Sequence, residues 1–514
     1  MIPSQTDRAS IHPATTPAHA ALRWAATLTG TRVLTALVIL VAMALLAAMG
    51  EVINRDGTLF VRTAEAFLDG GLDAALELYP WPAYSVLFAL VSRFTGLALE
   101  DAAHLVNAGL WVLLADAFIR LHARLEPDTG KPWVAALVFL SFPKLAHGLE
   151  IYRDWGYIAF ALFAIVPLCR FWQEERGRVG DALLWQAGAT MATLFRVEGA
   201  VLLALAPLAL LLQDRPWRER LRRASLVGAC AVPALVAVLA FVLASDTPVG
   251  RLHELLVYGN PAEVFTAFDE VARQIGDVLD KYSRDFAHPM LASGIVTMSV
   301  WMALKNLGVF LVLLTAYGLH RFGLPRRAGY GLIYSLLGIV ALTLIVFFAK
   351  QLTLVGRYAV LASCLILIIT SALAARLLDR RRTAGRRGRW VRTLALAGLV
   401  IGGLINTISV QPDYKIYIRD AGQWLGRNVP ADVPIATNDT VINYYAGRPL
   451  GAQFSNLDQL RAHLAHAMPP YYVALRLDDH EAGAARALFS GAPVMEYHSP
   501  QARETLLIFY LQQR

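Results

Sequence analysis

Charged side chains that border long apolar runs are the first place to look for chemistry in this chain. The stretch Ile53-Asn54-Arg55-Asp56-Gly57 directly follows the apolar run Val33 to Gly50. It opens a polar, acidic segment that also holds Glu51, Arg62, Glu65, Asp69, Asp73 and Glu77. A carboxylate at the exit of a membrane span lies at the edge of a low-dielectric slab. It can be partly desolvated there and still meet a lipid headgroup. That placement suits Asp56 to act as a general base on a membrane-bound substrate. The plainer alternative is a wet loop whose acids keep it outside the membrane.

A second cluster is Glu150-Ile151-Tyr152-Arg153-Asp154-Trp155-Gly156-Tyr157. Asp154 opens an apolar run, and its carboxylate can share a cavity with Asp56. Two such carboxylates could hold a divalent cation, or divide into a base and an orienting group. An Arg153–Asp154 pair capping a helix N-terminus is the competing structural reading. Arg196 and Glu198 lie in Phe195-Arg196-Val197-Glu198-Gly199, and Lys350, Arg357 and Tyr358 lie in AKQLTLVGRYAV. Cations at the ends of spans suit a phosphodiester substrate, with arginine offering a bidentate fork. Headgroup snorkelling is the alternative for these cations, for Lys350 above all. His288 precedes Pro289 where the chain approaches the membrane again. Its proton affinity is useful near neutral pH, although a lone histidine is more often structural.

The elements that must position these residues follow from composition. Of 514 residues, 56% are hydrophobic and 17% charged. The mean hydropathy is +0.48. Soluble domains carry about 25% charge, so these values describe a polytopic membrane protein. The net charge of +8 does not point to nucleic acid. Its arginines fall in short runs between apolar segments, as cytoplasmic loops do. Cys169, Cys230 and Cys364 all lie in apolar segments, which implies buried thiols rather than a disulfide framework.

Length and charge predict about eleven spans with the N-terminus inside and the C-terminus outside. They are Val33–Gly50, Val106–Ile119, Trp133–Leu145, Trp155–Leu168, Ala182–Phe195, Ala200–Leu212, Leu226–Ala244, Ile295–Leu319, Leu332–Ala349, Tyr358–Leu377 and Leu394–Val410. The apolar part of Trp81–Leu99 is far below the roughly 20 residues a span needs, so it reads as an interfacial or re-entrant helix. Asp56, Asp154, Arg196 and Arg357 then share the outer side. Residues 1–32 read as a cytoplasmic tail and 33–410 as the membrane module, with outer loops at 51–103 and 245–294. Within the second loop, Leu252–Tyr258 and Val264–Leu279 have the spacing of surface-lying helices. Residues 411–514 read as a small extracytoplasmic α/β domain of ordinary size. It contains no metal-ligand spacing, phosphate loop or internal repeat. Its strands are expected at Val433–Ala436, Tyr471–Leu475, Val494–Tyr497 and Thr505–Leu511. Its helices are expected at Tyr414–Arg427, Asp439–Tyr445, Leu457–His466 and Glu481–Leu488.

The order of the motifs resembles the membrane glycosyltransferases of the GT-C fold, in the family 39-like branch. That branch includes protein O-mannosyltransferases and the aminoarabinose transferase that modifies lipid A. The likeness runs through NRDGTLFVRTAEAFLDGG, PWPAYSVLFALVSRFTG, YRDWGYIAF, FRVEG and GRYAVLA, and into AGQWLGRNVPADVPIATNDTVINYYAGRPL. Two positions depart from the pattern. Gly57 stands where the family often has a second acid, which weakens metal binding by that loop. Val197 stands where proline is usual.

The resemblance implies transfer of a sugar from a polyprenyl-phosphate carrier to an acceptor hydroxyl on a lipid, glycan or protein. The expected place is the outer face of a bacterial cytoplasmic membrane, among membrane lipids. It implies Asp56 as the base on the acceptor and Asp154 as a second acid, orienting the acceptor or holding a divalent metal. Arg196 and Arg357 would neutralise the departing phosphate, with Arg153, Glu198, Lys350, Tyr358 and His288 as further substrate contacts. Rival readings are a lipid or polysaccharide transporter, and a polysaccharide polymerase or ligase using a lipid-diphosphate donor. Transporters favour inverted repeats and broken helices at the midplane. The sequence shows no such symmetry, and its candidate charges cluster at one face.

Overall fold

A computed structural model describes residues 23–50, 52–175, 177–230, 260–352, 355–379, 385–408, 415–451, 454, 457–464, 471–489, 492–500 and 504–511. The chain begins with α1 (Leu28–Ala48), whose first turn is closed by Thr27 accepting from the Gly30 amide at 3.0 Å. The segment after α1 folds as α2 (Arg55–Leu78), which changes direction at Gly71, and α3 (Ala83–Thr95). Next come α4 (Leu99–Leu125), α5 (Pro132–Leu140) and a 3₁₀ turn at Pro143–His147. The middle of the chain holds α6 (Asp154–Gln173), α7 (Val179–Phe195), α8 (Glu198–Ala209) and α9 (Trp217–Val227). Then follow α10 (Pro261–Val278), α11 (Ala287–Phe322), α12 (Ala328–Gln351), a 3₁₀ turn at Gly356–Ala359, α13 (Val360–Leu377) and α14 (Arg386–Ile408).

Among the described residues, seven helices are long and apolar enough to cross a membrane. Their burial divides them. The Gly356–Leu377 segment is 89% buried over its apolar window, whereas α1, α12 and α14 bury a third or less. Segment Gly356–Leu377 is therefore the most enclosed of the seven, and α1, α12 and α14 turn most of their apolar surface outward, as lipid-facing helices do. Helix α11 is broken at Gly308, whose φ of 73° is open to glycine and strained for other residues.

Three expected spans are shorter than a membrane requires. Trp133–Leu145 folds as the 9-residue α5, which Pro132 starts and the turn at Pro143 follows. Ala182–Phe195 lies in the 17-residue α7, and Ala200–Leu212 in the 12-residue α8 and the 3₁₀ turn Leu210–Leu212 that continues it, with the turn at Arg196 between the two. Trp81–Leu99 contains the short α3, in keeping with a helix that does not span. The Val264–Leu279 helix is present as α10. Most of the Leu226–Ala244 span, the Leu252–Tyr258 helix and most of the 1–32 tail lie outside the described residues.

The C-terminal domain holds α15 (Ile416–Asn428), β1 (Ile435–Thr437), α16 (Thr440–Tyr445), α17 (Leu457–Leu464), β2 (Tyr471–Asp478), α18 (Asp479–Leu488), β3 (Met495–His498) and β4 (Glu504–Leu511). The sheet order is β1-β2-β4-β3. β1 runs parallel to β2 with Ala436 opposite Val473, and β2 runs antiparallel to β4 with Val473 opposite Phe509. The domain seats on α2. The Ile53 amide donates to the Tyr445 hydroxyl at 3.0 Å, and Arg62 donates to the Arg448 carbonyl at 2.9 Å. Arg55 donates to the Asn438 carbonyl. Tyr444 donates to Glu100 on α4 at 2.7 Å. Helix α2 is thus held between the bundle and the C-terminal domain.

Inside that domain, Arg476 grips Glu504 at 2.8 and 2.9 Å, and the Tyr417 hydroxyl donates to the same carboxylate at 2.7 Å. Burial alone would raise the Glu504 pKa, but these donors more than offset it and hold the carboxyl below its ordinary 4.5. A lowered folded value stabilises the domain above pH 4.5, and that contribution is lost as pH falls through the folded value. In full-length protein, wild type should therefore lose more thermal stability than Glu504→Gln when acidified below pH 4.5. Parallel melting curves for the two proteins across that range would contradict the assignment.

Candidate active site

Asn54 precedes α2 and occupies its N-cap position, yet its side chain makes no capping bond. It turns instead to the loop before α6. Its Oδ1 accepts from the Ile151 amide at 2.7 Å, and its Nδ2 donates to the Ile151 carbonyl at 3.3 Å. One buried carboxamide thus joins the Asp56 segment to the Asp154 segment. Gly57 fits this contact. A Cβ there would come within 2.9 Å of Asn54 Oδ1 and 3.1 Å of Ile151 Cβ. The second acid that the family often carries would not fit without moving the clamp.

The same loop is held from the other side. Asn107 on α4 donates to the carbonyls of Glu150 at 3.0 Å and Leu149 at 3.3 Å, and accepts from the Tyr84 hydroxyl at 2.8 Å. Trp155 donates its indole N–H to the Glu150 carbonyl at 3.0 Å. Asp56 and Asp154 both end up in the first turn of a helix, where the unpaired amides favour negative charge.

Two arginines answer these acids. Arg196, in the turn between α7 and α8, pairs with Asp154 and with Glu198. Its Nε also donates to Glu198 at 3.1 Å. Arg196 and Asp154 are both buried. Arg357, in the turn before α13, pairs with Asp56. Tyr358 lies between the two cations, its ring 4.6 Å from the Arg196 guanidinium and 5.5 Å from that of Arg357. Arg357 also lies 4.9 Å from the Tyr152 ring. Burial, then the charges of Glu150 and Asp56, push the Tyr152 phenol up, so it stays a neutral donor. The Arg357 Nε is buried and has no hydrogen-bond partner among the described residues.

A pocket opens beside this cluster. Asp154, Tyr157, Arg196, Glu198, Arg357 and Tyr358 form its polar end. Leu202 of α8, with Ile339, Val340, Leu344 and Phe347 of α12, forms an apolar wall. Asp56 is reached through Arg357 and does not line the pocket itself. The structure therefore gathers Asp56, Asp154, Arg196, Glu198, Arg357 and Tyr358. Arg153 lies over the Tyr79 ring at 5.5 Å, while Asp154 is ion-paired to Arg196. Two other candidates lie elsewhere. Lys350 sits 3.6 Å from Glu263 and ties α12 to α10. His288 sits 2.8 Å from Asp269 and ties α11 to α10.

Sequence reasoning assigned no role to Asn54 or Tyr157. Tyr157 lies three residues after Asp154, on the same helix face, and its hydroxyl makes no hydrogen bond among the described residues. That spacing was the available signal. Asn54 had none, because its partner is distant in sequence.

Asp56 and Asp154 each already hold a guanidinium. No group of three or more histidine, cysteine, aspartate or glutamate ligands occurs among the described residues. Positive charge at this site comes from arginine.

No protein-family model and no curated protein matches the sequence. Solved structures do match the fold. ArnT from Cupriavidus metallidurans bound to undecaprenyl phosphate aligns with a TM-score of 0.54 at 14% identity, over 93% of this chain and 98% of ArnT. The oligosaccharyltransferase of Archaeoglobus fulgidus, solved with zinc and sulfate, aligns with a TM-score of 0.52 at 14% identity, over 91% of this chain and 73% of that one. Its apo form gives 0.54 at 12% identity, over 95% and 74%. Both proteins are membrane glycosyltransferases of the GT-C fold. At these identities the likeness is one of architecture: this chain has the GT-C fold, a helical membrane module followed by a small C-terminal sheet domain.

The clamp can be tested without any substrate. Asn54→Ala strands the Ile151 amide and carbonyl, and each buried unmet group costs about 1–3 kcal/mol. Backbone amides of 148–156 should exchange hydrogen faster in this variant. Asn54→Asp, which keeps an acceptor for the Ile151 amide, should fall between it and wild type. Unchanged exchange in Asn54→Ala would show that the two segments are not joined through this side chain.

Proposed function

We propose that this chain is a membrane glycosyltransferase that moves a sugar from a polyprenyl-phosphate carrier to an acceptor hydroxyl on the outer face of the membrane. One observation carries the reading: Arg196 and Arg357 stand at the polar end of a pocket whose wall is apolar. A polyprenyl phosphate is divided in the same way, with a phosphate head and a long apolar tail. The fold adds support, since ArnT shares it and has been solved with undecaprenyl phosphate bound. The acceptor side is supported by the oligosaccharyltransferase, which has been solved tethered to an acceptor peptide. The arginine-rich loops favour the non-cytoplasmic side of the membrane for the site.

The chemistry follows from the pairs. The carrier phosphate competes with Asp56 for the Arg357 fork, and the unpartnered Nε gives that guanidinium a donor in reserve. Asp56, once released, accepts the proton of the acceptor hydroxyl. The acceptor oxygen then bonds to the anomeric carbon of the sugar. The bond from that carbon to the phosphate oxygen breaks, and its electron pair leaves with the polyprenyl phosphate. Arg196 and Arg357 stabilise the charge that develops on the leaving group. Asp154 and Glu198 hold Arg196 in place, and the Tyr157 hydroxyl is free to donate to the phosphate or the sugar.

A strain lacking the protein should accumulate sugar-charged polyprenyl phosphate and lose one glycosylated lipid, glycan or protein. Asp56→Asn should retain donor binding but lower turnover by roughly 10²- to 10⁴-fold, the usual contribution of a general base. Arg357→Lys keeps charge but loses the planar fork, so it should weaken donor use despite its cation. An unchanged lipid and glycan profile in the deletion strain would remove the proposed function. A changed profile with full turnover by Asp56→Asn would place the base elsewhere.

A further inference from the structure

The arginine run in and just before α9 holds Arg215, Arg218, Arg220, Arg222 and Arg223. The fold separates these residues into two groups. Three turn inward and satisfy carbonyls at helix ends. Arg223, only 1% exposed, donates to the Phe171 carbonyl, to the carbonyls of Glu174 and Glu175 at 3.1 Å each, and to Gln213 at 3.1 Å. Arg220 donates to the Leu211 carbonyl at 2.9 Å. Arg215 donates to the Glu175 carbonyl at 2.9 Å and pairs with Glu219 at 2.7 Å. With Val227 also buried, these bonds fix how α9 is rotated.

The opposite face of α9 is exposed. Trp217 and Leu221 lie one turn apart and are 56% and 41% exposed. Arg218 and Arg222 run alongside, also one turn apart and exposed, and neither forms an ion pair or hydrogen bond among the described residues. Leu212, at the end of the apolar helix that precedes this turn, is 73% exposed. Glu219 is taken by Arg215, so it does not neutralise the outer pair. Asp214 and Glu175 are the remaining acids, and they line a hollow that Arg222 borders.

Exposed tryptophan and leucine are costly in bulk water, and two unpaired arginines are costly in acyl chains. The boundary between the two accommodates both, and the chain has just left an apolar helix at that depth. We propose that α9 is an interfacial helix that binds anionic phospholipid. Arg218 and Arg222 take the headgroup phosphate through their planar forks. Trp217, Leu221 and Leu212 enter the headgroup–acyl boundary. The ligand class is a lipid with net negative charge, and the site is independent of the transfer chemistry proposed above.

The test uses the full chain in detergent, titrated with phosphatidylglycerol or with zwitterionic phosphatidylcholine and read by native mass spectrometry. Wild type should bind phosphatidylglycerol at least tenfold more tightly. Each near-surface arginine contributes about fivefold, so Arg218→Gln with Arg222→Gln should remove most of that preference and leave phosphatidylcholine binding unchanged. Both side chains are exposed, so the lipid-free melting temperature should not move. A second readout does not depend on affinity. Brominated phosphatidylglycerol should quench a tryptophan emission component that is missing in Trp217→Phe. Equal binding of the two lipids by wild type, a full preference in the double variant, or identical quenching in wild type and Trp217→Phe would each overturn the proposal.

Discussion

The buried pair of Asp154 and Arg196 is the constraint on which the rest of the site depends. Neither charge can stay in a low-dielectric interior alone, and removing one partner of such a pair costs about 3–5 kcal/mol. The pair therefore fixes where α6 begins and where the turn between α7 and α8 must lie. Glu198 takes the remaining edge of the same guanidinium. The ring of Tyr358 then carries the contact across to Arg357, which in turn holds Asp56. Four segments that are far apart in sequence meet because a few charges at membrane depth need partners.

The two arginines differ in a way that matters for function. Arg196 is enclosed and held by two carboxylates, so it is a fixed positive charge. Arg357 is more open, pairs with one half-exposed carboxylate and keeps an unpartnered donor. An incoming phosphate can compete for Arg357 far more easily than for Arg196. In the proposed reaction, binding and activation of the base would be one event, because a phosphate that takes Arg357 would free Asp56. The C-terminal domain participates by holding the N-terminal end of α2, so the Asp56 segment does not drift when its ion pair opens.

Much of this was legible in the sequence, for a physical reason. Charges that border apolar runs stand out, and Asp56, Asp154, Arg196, Glu198 and Arg357 were all found that way. The resemblance carried by NRDGTLF, YRDWGYIAF, FRVEG and GRYAVLA pointed to the architecture that the solved structures share. In the C-terminal domain, β2 and β4 fall where alternation and β-branched or aromatic residues placed strands. What was not legible depends on distant partners. Lys350 and His288 looked like phosphate and proton-transfer candidates until α10 supplied Glu263 and Asp269. Arg196, which pairs with Asp154, lies 42 residues further on, in the turn between α7 and α8, so that pair could not be read from adjacency. Helix α5 is shorter than its apolar run implied, because the chain turns at Pro143.

The central claim is that the pocket between α8 and α12 receives the carrier phosphate. A cryo-EM structure of the full chain with undecaprenyl phosphate tests it most directly. The phosphate should lie within hydrogen-bonding distance of both Arg196 and Arg357, with the tail along Leu202, Leu344 and Phe347 and the Asp56 carboxylate released from Arg357. A phosphate bound away from both arginines, with the Asp56–Arg357 pair intact, would contradict the account.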